Sequence, residues 1–282
     1  MSSDHYRFQQ VADGAWAAVA VDAGAGVGNA GFARLDDGSS VVIDCGFTPA
    51  AARDLREEAE DQAGPVGRLV VTHRDLDHFG GAQVFADVPI VATETTRAAV
   101  ESNGPARVAE LREEMGTYLA DLEQDGAPDW ERLQGERIAA ELPSMTITPP
   151  TEVFSDELDL GGAVVLDCGK GHTDSDSVVW LQSERVLYAA DLIAVNGHLN
   201  LTRGDPENWL TILDRLAALE PETVVPGHGP TAGPEAIPTA RGYVETILDL
   251  AARPGEHDMP ERLSSWAFPE VFRQNLEALR AR

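Results

Sequence analysis

The sequence predicts an α/β protein in which strands and helices form mixed layers around a sheet core. The first third of the chain is rich in short apolar runs separated by turn residues, which is typical of strands. A β-α-β pattern follows near residues 68–92. Strand signals resume after residue 145 and lead into a helical C-terminal region. Both kinds of element therefore recur along the chain, as a mixed α/β fold requires.

The N-terminal elements are predicted as short strands that include one hairpin. Residues 15–21 form an apolar run, and a glycine-rich loop follows them. Strands at 31–35 and 40–43 flank Asp37-Gly38, a dipeptide that favours a tight turn. The glycine-rich loop is not a dinucleotide-binding fingerprint, because a hairpin follows it where that motif requires a helix.

The next elements alternate between helix and strand. Residues 49–63 combine alanine and leucine with charged residues, which predicts a helix. Residues 68–71 are a short buried strand that leads directly into His73, and a strand at 88–92 completes the β-α-β unit. Residues 95–142 are charged, alanine-rich and helical, with a break near Pro128. We interpret this segment as an inserted helical pair, because strand signals resume after it.

The second half of the chain predicts another set of strands and then helices. The strands are expected at 146–148, 152–154, 163–168, 177–181 and 186–189. Residues 207–219 have the spacing of an amphipathic helix, and 223–225 is the last strand. We therefore predict that residues 1–282 form a single domain, with a helical insert at about 95–142 and C-terminal helices at about 237–282.

The charge balance is strongly acidic. The chain has 48 acidic and 21 basic residues, and Lys170 is its only lysine. Nucleic acids and anionic membranes need a basic surface, so we expect neither as a partner and expect a small-molecule substrate. Two explanations of this acidity are open: an ordinary acidic soluble protein, or an adaptation to high salt. At 1 M salt the Debye length shortens to ~3 Å, which screens the repulsion between the acidic residues. The scarcity of lysine favours the salt adaptation.

Other features of the composition indicate a cytoplasmic protein. No apolar run approaches the roughly 20 residues of a membrane span. The N-terminal residues lack the basic and apolar regions of a signal peptide. Cys45 and Cys168 are too few for a disulfide framework, and we expect both to be small buried apolar residues. The oligomeric state is left open.

Histidine and aspartate concentrate in four short stretches that follow predicted strands. Four of the seven histidines lie in them. The stretches are THRDLDHFGG at 72–81, Gly171-His172, Asp191 and PGHG at 226–229. Imidazole and carboxylate groups bind divalent transition metals. Alone, the first stretch is also compatible with a solvated acidic turn, but together the four stretches predict a metal-dependent hydrolase.

This pattern resembles the metallo-β-lactamase superfamily, whose signature is His-x-His-x-Asp-His followed by a lone histidine, a bridging aspartate and a last histidine. The resemblance covers residues 29–230 and includes Ile43-Asp44-Cys45-Gly46, Tyr188-Ala189-Ala190-Asp191 and VPGHGP at 225–230. It implies a four-layer αβ/βα sandwich with a helical insertion. It also implies a hydrolase site that holds two divalent metal ions.

The resemblance assigns roles to individual residues. It implies that the first ion is held by His73, Asp75 and His172, and the second by Asp77, His78 and His228, with Asp191 bridging both. Asp44 would orient a ligand histidine through its other ring nitrogen. A water molecule shared by the two ions would lose a proton near neutral pH and act as the nucleophile. Asp77, which could orient this hydroxide, and Asp191 are the catalytic candidates.

Asp75 departs from the family pattern, because most members have histidine at this position. Asp75, Asp77 and Asp191, together with one hydroxide, would balance the charge of two divalent ions, so the site could be neutral. A set of two histidines and one carboxylate suits iron or manganese as well as zinc, which we expect first. Because the aspartate side chain is shorter, the first ion could also be shifted or bound more weakly.

Three functions follow from these residues. The favoured one is attack of a metal-bound hydroxide on the acyl centre of an ester, thioester or lactone. The first alternative is an iron-dependent oxygenase on the same fold, similar to persulfide dioxygenases. The second is a non-catalytic member, in which Asp75 marks a decayed metal site. A nuclease is disfavoured, because the chain has no basic surface.

Residues outside the motifs have weaker predicted roles. Asn196 and His198 follow Asp191 closely, and they either hydrogen-bond substrate or belong to an ordinary polar loop. The insert either covers the mouth of the site or packs on the domain, through its larger apolar residues Met115, Tyr118, Leu119, Leu122 and Trp130. The shortage of lysine argues against a strongly anionic substrate, although three arginines could supply cationic contacts: Arg74, Arg97 and Arg203.

Overall fold

Two β-sheets are stacked face to face in the computed structural model, which describes residues 3–282. Met1 and Ser2, the first two residues of the N-terminal stretch, lie outside the described residues. Within the described part, the larger sheet has seven strands that follow chain order. They are β1 (Tyr6–Ala12), β2 (Ala15–Ala20), β3 (Ala30–Arg34), β4 (Ser40–Ile43), β5 (Val66–Val70), β6 (Ile90–Thr93) and β7 (Glu152–Phe154).

The smaller sheet supplies the second half of the site. Its strands are β8 (Glu157–Asp159), β9 (Val164–Gly169), β10 (Asp176–Leu181), β11 (Val186–Ala194) and β12 (Thr223–His228). Neighbouring strands are antiparallel except for β11 and β12, which run parallel. In the larger sheet, β4, β5 and β6 also run parallel. The carboxyl ends of parallel strands meet at one edge of a sheet, and the predicted site residues lie in or just after these strand ends.

The described residues form seven α-helices, and some of them cover the outer faces of the sheets. They are α1 (Pro49–Ala63), α2 (Leu76–Phe79), α3 (Glu94–Gln124), α4 (Asp129–Glu141), α5 (Pro206–Ala217), α6 (Ala236–Ala252) and α7 (Pro269–Arg280). One core packs α1 on the larger sheet, and another packs α5, α6 and α7 on the smaller sheet. A third core, which includes Val70, Val165 and Tyr188, fills the space between the sheets. The predicted four-layer αβ/βα sandwich is confirmed.

The predicted elements are largely confirmed, with differences at strands that have weak apolar patterns. The predicted helical pair is present as α3 and α4, which are separated near Pro128. The predicted strand at 146–148 is wrong, because the Thr146 amide bonds to the Gln83 side chain and not to a neighbouring strand. Strands β1 and β8 went unpredicted, since β1 contains adjacent glutamines and β8 has a single apolar residue between two acidic ones. In residues 3–282, no helix combines the length and the apolar character needed to cross a membrane.

Candidate metal centre

All seven predicted ligand side chains meet where the two sheets adjoin. The loop after β5 and the helix α2 that follows it supply four of them, the loop between β9 and β10 supplies His172, β11 supplies Asp191, and the end of β12 supplies His228. Their nitrogen and oxygen atoms form two clusters, each with atoms within 4.8 Å of one another. One cluster contains His73, Asp75, His172 and Asp191, and the other contains Asp77, His78 and His228. The fold therefore assembles residues that are far apart in the chain.

Asp191 lies between the two clusters and turns one oxygen toward each. Its Oδ2 is 3.4 Å from Nε2 of His172 and 3.8 Å from Nε2 of His73. Its Oδ1 is 3.0 Å from Nε2 of His78 and 3.4 Å from Nε2 of His228. The close approach of these atoms depends on Gly227, because a Cβ there would lie 1.9 Å from Asp191 Oδ1. This carboxylate has the position of a bridging group.

Several buried atoms of the clusters lack hydrogen bonds, although they lie close together. Within residues 3–282, no hydrogen-bond partner satisfies Nε2 of His73, Nε2 of His78 or Oδ1 of Asp191. Leaving one buried polar group unpaired destabilises a protein by about 1–3 kcal/mol. Three such atoms, all aimed into one nitrogen and oxygen donor set, fit divalent transition-metal ions.

Asp44 orients two of the histidines. Its Oδ2 lies 2.8 Å from Nδ1 of His78 and accepts a hydrogen bond from Thr72 Oγ1 at 2.8 Å. Its Oδ1 accepts from the Thr72 amide at 2.8 Å. Because Thr72 donates its only hydroxyl proton to Asp44, its oxygen must accept from His73 Nδ1, 2.9 Å away. Both histidines therefore carry a proton on Nδ1, and Nε2 of each ring faces the clusters.

Backbone carbonyl groups orient the remaining parts of the site. His172 Nδ1 lies 3.1 Å from the carbonyl oxygen of Asn200, which can only accept, so Nε2 of His172 faces the cluster. The loop that carries His228 is held by Asn29. The Asn29 side chain donates to the carbonyl oxygens of Pro226 and Gly229 at 2.9 and 2.8 Å. Groups outside the clusters therefore orient the ring of His172 and hold the loop that carries His228.

Asp75 has a partner that the motif does not contain. Arg203 Nη1 donates to Asp75 Oδ1 at 2.8 Å, and Arg203 Nη2 bonds to Oδ2. Asp75 Oδ2 also lies 3.1 Å from His172 Nε2. Burial disfavours the charged carboxylate, but the hydrogen bond from His172, with His73 and Arg203, outweighs it and lowers the pKa of Asp75 far below its ordinary value. Asp75 is therefore a carboxylate held by both an arginine and the cluster.

Asp77 lies within the short helix α2 and does not precede it. The helix begins at Leu76, so Asp75 is the residue before its first turn. Asp77 Oδ2 lies 3.3 Å from Nε2 of His228. The side chain thus faces the second cluster and not a helix terminus.

The carboxylates make the centre electrostatically negative. Burial by itself lowers the pKa of His228, but Asp191 and Asp77 outweigh burial and raise this pKa to about 10. The pKa of His78 is raised in the same way, since Asp191, Asp77 and Asp44 outweigh its burial. Nearby carboxylates favour positive charge on these rings, and the same field favours a bound cation.

Two adjoining cavities open over the clusters, and both are lined by Asp75, Asp77 and Arg203. The smaller, of about 270 Å³, has apolar walls formed by Val27, Ala194, Leu199, Phe268 and Val271. The larger, of about 450 Å³, has apolar walls formed by Phe47, Leu76, Phe79, Ala99 and Leu111. Arg74 and Arg107 also line the larger cavity. A small molecule with an apolar part can therefore reach the clusters.

The insert contributes to the larger cavity, but through residues other than those singled out from the sequence. Met115 and Leu122 are buried in a core shared by α3 and α4, whereas Tyr118 and Trp130 are 43% and 44% exposed. Leu119 packs against the same core. The face of α3 that lines the cavity comes earlier in the helix, between Ala99 and Leu111. The five predicted residues therefore pack the helices or face solvent.

Neither Asn196 nor His198 directs an unpaired polar group at the clusters. Asn196 is exposed, and its carbonyl oxygen accepts a hydrogen bond from the Ala267 amide. His198 lines the smaller cavity, but its Nδ1 lies 3.0 Å from the Tyr243 hydroxyl and its Nε2 lies 3.2 Å from the Leu263 carbonyl oxygen. Both ring nitrogens of His198 are thus used within the protein. Its position indicates that it packs the C-terminal helices.

Sequence reasoning missed several residues that support the site. Thr72 lies inside the first motif and could have been found by asking which group bonds to the His73 ring. Asn29, Asn200 and Asn275 carry no local signal, because their roles depend on carbonyl and amide groups of distant segments. Arg203 was noted only as a cation near the site.

Comparison with known proteins agrees with this geometry. The family model described as the metallo-β-lactamase superfamily matches residues 23–228, a span that contains both clusters. The chain belongs to the metallo-β-lactamase superfamily. The family predicted from the four motifs is therefore confirmed.

Two relatives are similar to different extents of this chain. It is 30% identical to a type 2 metallo-β-lactamase of Bacteroides fragilis over 114 residues, which are 37% of this chain and 46% of the relative. It is 26% identical to a linear primary-alkylsulfatase of Pseudomonas sp. (strain ATCC 19151) over 220 residues, which are 70% of this chain and 41% of the relative. The chain thus spans less than half the length of either relative.

A solved structure of the superfamily has the same fold. The metallo-β-lactamase FIM-1 of Pseudomonas aeruginosa, in its mono-zinc form, superposes with a TM-score of 0.61 at 18% identity. The match covers 86% of this chain and 96% of FIM-1. At this identity the likeness concerns the architecture of the superfamily and not the reaction.

Proposed function

We propose that this protein is a metal-dependent hydrolase with two divalent ions, and that its substrates are esters, thioesters or lactones. The observation that supports this most directly is the position of Asp191, whose two carboxylate oxygens face two separate sets of histidines. We assign the first ion to His73, Asp75, His172 and Asp191, and the second to Asp77, His78, His228 and Asp191. Zinc is the first choice of metal, with iron and manganese as alternatives suited to the carboxylate of Asp75.

The bound ions would lower the pKa of a bound water molecule and would polarise the oxygen of the group that is cleaved. The chain's own residues prepare this chemistry. Asp44 and Thr72 hold the Nδ1 protons of His78 and His73, so that Nε2 of each ring is the nitrogen available to an ion. Asp77 lines both cavities, and its carboxylate can orient the attacking water and accept its proton.

The cavity walls support a substrate with an apolar portion on one or both sides of the reacting group. Phe47 and Leu111 line one cavity, and Phe268 and Val271 line the other. The strong negative charge of the chain makes nucleic acids and anionic membranes poor partners. We therefore propose a small acyl compound as the substrate.

A second candidate reaction is hydrolysis of a sulfate ester. The alkylsulfatase relative aligns with 70% of this chain, more than the β-lactamase relative does. Arginine side chains are also present at the larger cavity, where Arg74 and Arg107 could face an anionic ester group. An alkyl sulfate would place its apolar chain along the same walls.

Metal content tests the proposal first. Protein purified without chelator or nickel resin should contain about two zinc or manganese ions per chain by elemental mass spectrometry, and Asp191→Ala should retain far less metal. The loaded protein should then hydrolyse members of a panel of esters, thioesters, lactones and alkyl sulfates. A single iron together with thiol-dependent oxygen uptake would favour the oxygenase, and absence of both metal and hydrolysis would favour a decayed site.

A further inference from the structure

Asp75 and Arg203, which are 128 positions apart in the chain, form a pair with two parallel hydrogen bonds. The oxygen that faces the cluster, Oδ2, lies 3.1 Å from Nε2 of His172 and 3.8 Å from Nε2 of His73. A carboxylate oxygen has two lone pairs, so Oδ2 can accept from Arg203 on one side and bind an ion on the other. The arginine fork also prevents Asp75 from rotating, since both oxygens are engaged.

Arg203 also changes the charge of the centre. Two divalent ions would be balanced by Asp75, Asp77 and Asp191 with one hydroxide, which leaves no net charge. The guanidinium of Arg203 adds one positive charge within hydrogen-bond distance of Asp75. The centre with Asp75 and Arg203 then has the same net charge as a centre with a neutral histidine at position 75 and no arginine beside it.

We propose that Arg203 is a positioning residue that allows Asp75 to replace a histidine ligand, by aiming one of its oxygens at the first ion and cancelling its charge. This inference rests on the metal centre proposed above. It assigns Arg203 to the support of the first ion and not to the binding of substrate.

The loop that carries Arg203 is anchored on several sides, as this role requires. The Asn275 side chain accepts from the Leu201 amide at 2.7 Å and donates to the Leu199 carbonyl oxygen at 2.8 Å. The Asp205 amide bonds to the Gly171 carbonyl oxygen at 2.9 Å. The same loop supplies the Asn200 carbonyl group that orients His172. One rigid loop therefore places two ligands of the first ion.

The opposite interpretation is that the guanidinium occupies the position of the first ion. The contacts argue against it. Arg203 Nη2 approaches His172 Nε2 only to 3.5 Å, and Nε2 of His73 has no hydrogen-bond partner anywhere in residues 3–282. A cation that replaced the ion would satisfy that nitrogen. The Arg203 side chain is also 39% exposed, so it reaches Asp75 from the solvent side.

A double-mutant cycle on zinc affinity tests the inference. Zinc retained per chain is measured by elemental mass spectrometry after dialysis against buffers with graded free zinc, for the wild type, Arg203→Met, Asp75→His and the double variant. We expect Arg203→Met to lower the affinity for one of the two zinc ions by about 10–100-fold, the range typical for groups that orient metal ligands. In the Asp75→His background, Arg203→Met should cause no weakening, because no carboxylate remains to be held.

Further variants separate this role from general effects on folding. Arg203→Lys keeps the charge but loses the fork, so it should recover only part of the affinity. Arg97→Met removes an arginine of similar exposure that is ion-paired to Glu94, and it should leave both ions unaffected. Circular dichroism of each metal-free variant reports whether it is folded.

Two results would overturn the inference while leaving the proposed function intact. One is an equal effect of Arg203→Met in both backgrounds, and the other is stronger zinc binding when Arg203 is removed from the wild type. A wild type that binds no metal at any free zinc concentration would instead overturn the metal centre itself. Zinc affinity thus distinguishes failure of this inference from failure of the proposed function.

Discussion

The carboxylate of Asp44 lies 2.8 Å from Nδ1 of His78, on the side of the ring that faces away from the metal-binding cluster. The same carboxylate accepts two hydrogen bonds from Thr72. Asp44→Asn would place an amide NH2 group against the donors on Thr72 or against the Nδ1 proton of His78. We expect metal affinity to fall by about 10–100-fold with the fold retained. Zinc titration with circular dichroism checks this, and Asp13→Asn, at an exposed turn, is the control.

The loop that carries Arg203 packs very closely on the loop that carries His172. A Cβ at Gly204 would lie 1.7 Å from the Gly171 carbonyl oxygen, and backbone atoms cannot give way as a side chain can. Gly204→Ala should therefore destabilise the protein by about 1–3 kcal/mol and weaken zinc binding. Gly242→Ala is the matched control, because no atom lies within 4 Å of its Cβ position and α6 should tolerate alanine. Equal melting temperatures for the two variants would contradict the prediction.

His198 is expected to affect stability and not substrate affinity. Both of its ring nitrogens are within hydrogen-bond distance of Tyr243 and Leu263, and the Tyr243 hydroxyl accepts from Asn275 at 3.1 Å. His198→Phe would leave the Leu263 carbonyl group and the Tyr243 hydroxyl without this partner, a loss of about 1–3 kcal/mol. Denaturant unfolding measures the loss. A large rise in KM with unchanged stability would instead support a role in substrate binding.

Stability is expected to rise with salt concentration. The formal net charge of −27 produces self-repulsion in the folded state, and molar KCl screens it. In chains somewhat shorter than this one, each kcal/mol gained raises the melting temperature by about 2–4 °C. An uncharged osmolyte at equal osmolality is the control, because it strengthens burial without screening charge. A melting temperature that is the same at low and molar KCl would refute adaptation to salt.

Much of the fold and most of the candidate ligands can be predicted from the amino-acid sequence alone. The hairpin at Asp37-Gly38, the helix after Thr48 and the helical pair follow local rules of turn chemistry, capping and periodicity. The ligand motifs are recognisable because imidazole and carboxylate groups have few other reasons to recur at strand ends. Strand β1 was missed because an edge strand with polar residues has little apolar pattern to detect.

The sequence by itself determined the α/β class, the superfamily and the side chains available to bind metal, because these depend on residue chemistry and on spacing within short segments. Only the tertiary structure decided which partner each side chain has. It placed Arg203 on Asp75, Asn200 on His172, and the Tyr243 hydroxyl on His198. Such pairings join loops that are many residues apart, and their geometry depends on how two sheets and seven helices of residues 3–282 pack. No local pattern contains that information.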